Sequence, residues 1–254
     1  MTRTALITGA SSGLGAEFAR QLAARGMDLV LVARDRSALD AVANEVRAAH
    51  AVEVEVLAAD LLDPEQRDTV VSRAADPQHP IDMLVDNAGF GLSLAFEDTP
   101  VEDEVRHLAL HVEVPLRLMR AVLPGMLARG SGRIINVASV AGFVPRGTYG
   151  AAKAWLLSFS RWANVRYRGD GVTVTAVAPG FVHTNFHERL GLPPGQEGVP
   201  RGMWLNAPDV VAEALRDAAR GRSVSIPSLR YKVLVALSRV LPDRIVAGLG
   251  ERGR

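Results

Sequence analysis

The stretch "TALITGASSGLGAEFARQLAARG", residues 4–26, decides how the rest of the chain is read. An apolar run ends in a turn holding Gly9, Gly13 and Gly15 and passes straight into a helical pattern. The spacing is G-x-x-x-G-x-G, not the commoner G-x-G-x-x-G, but the physical demands are the same. Gly9 permits a tight exit from a strand, while Gly13 and Gly15 let backbone approach a pyrophosphate and let helix pack on strand. The helix N-terminus then presents free N–H groups and positive dipole to an anion. Ser11 and Ser12 add hydroxyl donors, and Leu14 completes the turn. A three-glycine turn alone also fits a plain βα connection; its place directly after the first strand points to dinucleotide binding.

Outward from that turn, strand-like runs alternate with helical periodicity. "DLVLVA" (28–33), "VEVLAAD" (54–60), "MLVDNAG" (83–89), "GRIINVAS" (132–139), "VTVTAVAPG" (172–180) and "SVSIPS" (223–228) join the first run as seven expected strands. The clearest helix runs from Glu102 to about Arg129, with Val105, Leu108, Val112, Leu116, Met119, Leu123 and Met126 on one face and Pro115 and Pro124 placed to kink or divide it. Short buried-type strands separated by single helices imply parallel pairing with right-handed crossovers. The expected fold is α/β: a single-domain Rossmann fold over residues 1–254, a doubly wound parallel sheet of about seven strands with helices on both faces. No repeat or linker divides the chain. The Gly- and Pro-rich "GLPPGQEGVPRG" (191–202) marks a variable substrate loop at about 184–206, and a helical tail is expected at about 229–250.

Composition narrows the function classes. The 254 residues are 48% hydrophobic and 22% charged with net charge +1, so no global field draws nucleic acid or an anionic membrane. Cysteine is absent, which excludes disulfides, thiolate zinc sites and a Cys nucleophile and fits a reducing compartment. The first residues do not read as a signal peptide, and no apolar run is long enough to span a bilayer, so a cytoplasmic location is expected. The second strand ends "LVLVARDRS". An acidic residue at such a strand end bonds a ribose 2′-hydroxyl, whereas an Arg accommodates a 2′-phosphate. Arg34, helped by Arg36, points to NADP over NAD; Asp35 leaves NAD open.

Lysine occurs twice among 29 basic residues, and one of the two sits four residues after a Tyr in "TYGAAKAW" (148–155). With "TGASSGLG", "AAD" (58–60), "DNAG" (86–89), "INVAS" (135–139), "YGAAK" (149–153) and "APGFVHT" (178–184) in this order, the chain resembles the short-chain dehydrogenase/reductase family over nearly its whole length. The resemblance implies a bacterial NAD(P)-dependent oxidoreductase interconverting a ketone or aldehyde and an alcohol. Tyr149 would be the acid/base, Lys153 the cation that lowers its pKa and bonds the nicotinamide ribose, and Ser139 the group holding the substrate oxygen. These roles also suit the chemistry, since a phenol titrating near 10 is a poor base at neutral pH unless a cation one turn away favours the phenolate. Asp60 and Leu61 would flank the adenine, and Asn87, Ala88 and Gly89 would line the cofactor floor. Pro179, Gly180, Val182 and Thr184 would touch the nicotinamide end. Asn136 inside a strand reads as structural.

The chain departs from the family pattern twice. His111 in "ALHVEVPLRL" stands where many members carry an Asn that organises a water of the proton relay; an imidazole can hold a water or pass a proton. Nine residues separate Ser139 from Tyr149 where about a dozen are usual, which reshapes the substrate side of the cleft. The pairs His107/His111 and His183/His187 have helical spacing but no third ligand, so no metal is expected. Phe90, Phe143, Phe181, Phe186 and Trp204 favour a hydrophobic small-molecule carbonyl or alcohol. The tail, with Val233, Leu234, Leu237, Val240 and Leu241 among Arg230, Lys232, Arg239 and Arg244, reads as a helix packed on its own sheet or on a second subunit, ahead of an interfacial membrane anchor. By the same resemblance a homodimer or homotetramer is expected. Two other readings remain open: the same chemistry with NAD, and a nucleotide-binding regulator whose catalysis has weakened.

Overall fold

Leu6 and Ile7 are neighbours in the first strand and pack into different cores, because side chains alternate across a strand and both faces of this sheet are covered. A computed structural model describes residues 3–92, 95–184, 200–244 and 246. Seven strands, β1 (Thr4–Thr8), β2 (Asp28–Ala33), β3 (Val54–Ala58), β4 (Met83–Asp86), β5 (Gly132–Val137), β6 (Val172–Val177) and β7 (Val224–Ser225), form one sheet in the order β3-β2-β1-β4-β5-β6-β7. Every pairing is parallel. The chain starts in the middle, winds outward through β2 and β3, then returns beside β1 with β4. That reversal between β1 and β4 opens a crevice at the strand carboxyl ends, where open α/β sheets bind ligands.

Helices α1 (Gly13–Ala23), α2 (Arg36–Ala49) and α7 (Ala207–Ala219) cover one face, where Phe18, Leu22, Leu39 and Val211 close over Ile7, Leu31 and Ile135. Helices α3 (Pro64–Ala75), α5 (Val114–Arg129) and α6 (Gly147–Tyr167) cover the other, where Val70, Leu118, Met126 and Ala163 close over Leu6, Leu84 and Ile134. Each fully buried Leu or Ile contributes about 1.5–3 kcal/mol. Helix starts follow local chemistry: the Asp63 carboxylate accepts from Gln66 N at 3.0 Å with Pro64 in the first turn of α3, and the Asp35 carboxylate accepts from Ala38 N at 3.1 Å to start α2.

The long helix expected over 102–129 is divided. Helix α4 (Val101–Leu108) leads into a π-helical turn, Ala109–Glu113, and only then into α5. Pro115 is the physical reason. It has no N–H to give the His111 carbonyl, and its ring crowds that carbonyl; the chain widens one turn, and Val114 N–H reaches back five residues to Ala109 O. Pro124, by contrast, lies inside an unbroken α5. The strand expected at 223–228 shrinks to Val224–Ser225. The expected tail is helical over α8 (Leu229–Ser238), which buries Tyr231 and Val235 on the rest of the chain while Leu229, Val233, Leu234 and Leu237 stay exposed.

Candidate active site

Gly9 and Gly13 have φ of +65° and +56°, a left-handed backbone that side chains strain. A Cβ on Gly9 would also lie 2.8 Å from Asn87 Nδ2, and one on Gly15 would lie 2.1 Å from the Gly9 carbonyl oxygen. Gly15 therefore serves the close packing of α1 on the turn. Asn87 holds the same turn from β4: its side chain donates to Thr8 O at 2.9 Å and Gly9 O at 3.3 Å, while Asn87 N and Ala88 N donate to Thr8 Oγ1 at 2.9 and 3.0 Å. Ser12 stands at the N-cap position of α1, whose N-terminus opens beside this cradle. A Cβ on Gly13 would meet Thr184, from the segment after β6, at 3.3 Å. A cradle that a Cβ would fill, next to a free helix N-terminus, fits the pyrophosphate of a dinucleotide.

At the β2 end, Arg34 is exposed and Asp35 is engaged as the cap of α2, accepting from Ser37 Oγ at 2.8 Å as well as from Ala38 N. The Asp35 carboxylate is pulled below its ordinary range by these bonds, the Ala38 amide first. At the β3 end Leu61 is buried, Asp60 N donates to Gln66 Oε1 at 2.8 Å, and the Asp60 carboxylate accepts from Leu62 N at 3.0 Å.

Ser139, Tyr149 and Lys153 converge beyond the carboxyl end of β5. Ser139 caps the short 3-10 turn Val140–Phe143, accepting from Ala141 N at 3.1 Å, and shares a hydrogen bond with Tyr149 in the first turn of α6. The nine-residue connection is therefore long enough to join Ser139 to Tyr149. Lys153, one turn further along α6, is buried and donates to Val137 O at 2.8 Å. Its ammonium lies 5.7 Å from the centre of the Tyr149 ring. Burial brings the Lys153 amine down to about 7. The expectation that Lys153 lowers the Tyr149 pKa is corrected here. Burial pushes the phenol up, with the Ser139 hydrogen bond and the Arg146 charge opposing it. Burial that disfavours the ammonium also weakens it as a partner for a phenolate.

His111 stands in the π turn, its Nε2 2.7 Å from Phe90 O and 3.2 Å from Phe90 N. A Cβ on Gly89 would meet the imidazole at 2.5 Å, so the ring fills the space that the glycine leaves and pins the loop after β4. The ring centre is 5.8 Å from that of Tyr149. Burial, then Lys153 and His107, hold the imidazole well below its ordinary value. His107, to which sequence reading assigned no catalytic role, lies in the same cluster, 4.3 Å from His111 and 5.9 Å from Tyr149 between ring centres. Its only signal in the sequence was the H-x-x-x-H spacing.

Asn136 is fully buried and donates to Ser160 Oγ at 2.8 Å, tying β5 to α6. Pro179 and Val182 are buried, and Gly180 lies flat against the Tyr231 ring, 1.8 Å from where a Cβ would stand. Tyr231 accepts from Phe181 N at 3.0 Å and donates to Met203 O at 2.8 Å. Phe181 and Trp204 are 5.7 Å apart between ring centres, and His183 stacks on Trp204 at 4.8 Å. Phe143 instead packs under Arg239, 5.5 Å away. Phe186 and His187 lie outside the described residues, as does most of the expected substrate loop. Among the described residues no group of three or more His, Cys, Asp or Glu could hold a metal ion, and no helix is long and apolar enough to cross a membrane.

Known proteins are similar to this chain in sequence and fold. Residues 3–193 match the family model described as short chain dehydrogenase. The ketoacyl reductase HetN of Nostoc sp. is 30% identical over 98% of this chain and 89% of its own. A short-chain dehydrogenase from Sphingobium yanoikuyae in complex with NADPH is 36% identical, covers 93% of this chain and 94% of its own, and superposes with a TM-score of 0.85. The bulky-bulky ketone specific alcohol dehydrogenase from Comamonas testosteroni is 33% identical over 93% and 92%, with a TM-score of 0.80.

Proposed function

The chain belongs to the short-chain dehydrogenase family, an NAD(P)-binding oxidoreductase acting on CH–OH and C=O groups, and from that premise we propose that it is an NADPH-dependent reductase of hydrophobic ketones or aldehydes with Tyr149 as the acid. The observation that carries this reading is the convergence of Ser139, Tyr149 and Lys153 at the crevice that opens beside the glycine turn. The turn at Gly9–Gly15 and the α1 N-terminus would hold the pyrophosphate, Leu61 the adenine side, and Pro179–Thr184 the nicotinamide end. Arg34, exposed while Asp35 is consumed as a helix cap, would hold a 2′-phosphate. The dinucleotide, when bound, supplies the hydride.

The remaining chemistry belongs to the protein. Ser139 donates a hydrogen bond to the carbonyl oxygen and orients it toward Tyr149. The Tyr149 hydroxyl gives its proton to that oxygen as negative charge develops there. Burial pushes the phenol up, which favours the protonated form that donates in this direction. Lys153 stays fixed by Val137 O beside the ring and would bond the ribose hydroxyls. His111 fixes the Phe90 loop at the edge of the cleft. The Phe181–Trp204 pair supports an apolar substrate, and the bulky-ketone relative supports the same class. Leu116 on α5 and Trp162 and Val165 on α6 are exposed apolar groups that support a homodimer or homotetramer.

The test is NADPH absorbance against a panel of hydrophobic ketones and aldehydes. Tyr149→Phe is expected to abolish turnover and leave NADPH binding within about twofold, since one hydroxyl is removed from the reaction and not from the dinucleotide cradle. Unchanged turnover in that variant defeats the assignment.

A further inference from the structure

Helix α8 has two apolar sides. Tyr231 and Val235, four residues apart, form the side packed on the rest of the chain. On the opposite side Leu229, Val233, Leu237 and Val240 recur every three or four residues into the turn after the helix, with Leu234 and Leu241 beside them. The first four are 49% to 77% exposed. Single exposed apolar residues are ordinary, but an unbroken stripe of them marks a surface that meets something apolar. The same stretch is basic. Residues 229–244 hold Arg230, Lys232, Arg239 and Arg244 against Asp243 alone, a net +3 in a chain of net +1, so the remainder carries −2. Lys232 is tied to Glu213 at 2.6 Å and Arg239 lies over the Phe143 ring, whereas Arg230 and Arg244 make no ion pair among the described residues.

The position of the stripe narrows what covers it. Tyr231 lies on Gly180 after β6 and Arg239 over Phe143 after β5, so α8 sits at the carboxyl end of the sheet, on the side of the crevice. Helix α6 starts at that end and runs back toward the amino end, and its exposed Trp162 lies about 20 Å along it from Tyr149. A second copy seated on Trp162 and Val165 therefore leaves α8 open. With 10 residues α8 is about 15 Å long, about half the thickness of a bilayer's hydrocarbon core, so it is too short to cross one. An apolar stripe with arginines beside it and at its end, on a helix too short to span, has the make-up of a helix that lies in a membrane surface.

We propose that α8 docks flat on an anionic lipid surface, with Leu229, Val233, Leu237 and Val240 in the boundary between headgroups and acyl chains and Arg230 and Arg244 on the headgroup phosphates. Arg230 lies beside the stripe, where its long stem follows the apolar surface while its charge reaches the headgroups. The Tyr231 hydroxyl holds α8 to Phe181 N and Met203 O, so docking brings the crevice to the membrane, where apolar molecules collect. This surface stands apart from the reaction proposed above and needs no residue of the catalytic set.

The experiment sediments the full chain with vesicles of phosphatidylcholine alone or mixed in equal parts with phosphatidylglycerol. Wild type is expected to bind the mixed vesicles about tenfold more tightly than the neutral ones, and to lose that difference at about 1 M salt. Val233→Glu with Leu237→Glu puts two carboxylates on the stripe and is expected to weaken binding to the mixed vesicles by about tenfold or more. Both positions are exposed, so Tm and NADPH affinity are expected to stay at their wild-type values. Val233→Ser with Leu237→Ser carries the test if the Glu pair does not fold. Arg230→Gln with Arg244→Gln is expected to remove the preference for the mixed vesicles. Wild type that stays in the supernatant with mixed vesicles, or that binds both kinds equally, overturns the proposal. So does a folded stripe variant that binds mixed vesicles like wild type. A stripe variant that forms a smaller assembly than wild type in sedimentation velocity without lipid makes a second copy the occupant and overturns it too.

Discussion

Replacing Tyr231 with Phe removes one oxygen atom and, with it, the bolt between two segments of the cleft. The hydroxyl accepts from Phe181 N at 3.0 Å and donates to Met203 O at 2.8 Å. Phe keeps the ring on Gly180 and opens no cavity, so the loss is confined to these bonds. A buried polar group left without its partner costs about 1–3 kcal/mol. Both bonds are only partly buried, which lets water take over some of the loss, so each is worth about 1 kcal/mol, the low end of that range, and the pair about 2 kcal/mol. At about 2–4 °C per kcal/mol for a protein of this size, Tm should fall by about 4–8 °C. Gly180→Ala attacks the same contact from the other side. Its Cβ would stand 1.8 Å from Tyr231 Cζ, the ring must leave, and both hydrogen bonds go with it. Gly180→Ala should therefore cost more than Tyr231→Phe. Adding Tyr231→Phe to Gly180→Ala should cost less than about 0.5 kcal/mol, the non-additivity expected of residues in contact. Val182 pairs with Leu205 in the same segment, and Thr184 stands beside the Gly13 turn, 3.3 Å from where a Gly13 Cβ would lie, so both variants should also weaken NADPH binding a few-fold. Thermal melts followed by circular dichroism and a fluorescence titration with NADPH make the measurements. A Tyr231→Phe protein melting within 1 °C of wild type would refute the reasoning.

Other outcomes follow from single observations. Arg34→Ala should lower the preference for NADPH over NADH about tenfold, the scale of one exposed charge-assisted contact, and a titration with both dinucleotides that finds no change removes Arg34 from the cofactor site. Asp86 is 4% exposed, both carboxylate oxygens lack a partner, and burial pushes its pKa well above the ordinary value. A raised carboxyl contributes stability below its unfolded value near 3.8 and loses it as pH rises through the folded value. Asp86→Asn should thus raise Tm at alkaline pH and flatten the Tm–pH curve there, and parallel curves for the two proteins would speak against a buried neutral acid. His107 behaves oppositely, being lowered from 6.5 to about 4. Stability is lost as pH falls between those values, by on the order of 3 kcal/mol at most, and chemical denaturation of His107→Leu across that window should show a shallower acid limb.

Much of the site could be read along the chain because its chemistry is local. The glycine turn is fixed by contiguous residues, and Tyr149 and Lys153 share one face of a helix by spacing alone. A Lys in a chain that holds only two among 29 basic residues marked the position as chemically demanding. Asp35 could not be judged that way, since whether it faced a ribose or capped α2 depended on the backbone at Ala38. His107 was hidden for a different reason. Its spacing from His111 suggested only a metal pair, and its burial beside Tyr149 depends on how α4 and the π turn lie against α6. Tyr231 is 51 residues from Gly180 in sequence, and nothing in the tail's apolar pattern announces that its ring would lie on that glycine.

The sequence by itself determined the alternation of strands and helices, the glycine turn after β1 and the helical spacing of Tyr149 and Lys153, because each rests on periodicity, on glycine conformation or on side-chain type at short range. The tertiary structure decided what those groups experience. It turned the expected depression of the Tyr149 pKa into an elevation, because burial acts on phenol and ammonium alike and depends on every element packed around them. It also broke the long helix at the π turn ahead of Pro115 and set two imidazoles and a carboxylate along one buried face. Burial and the approach of distant elements are sums over the whole fold, and no local pattern carries them.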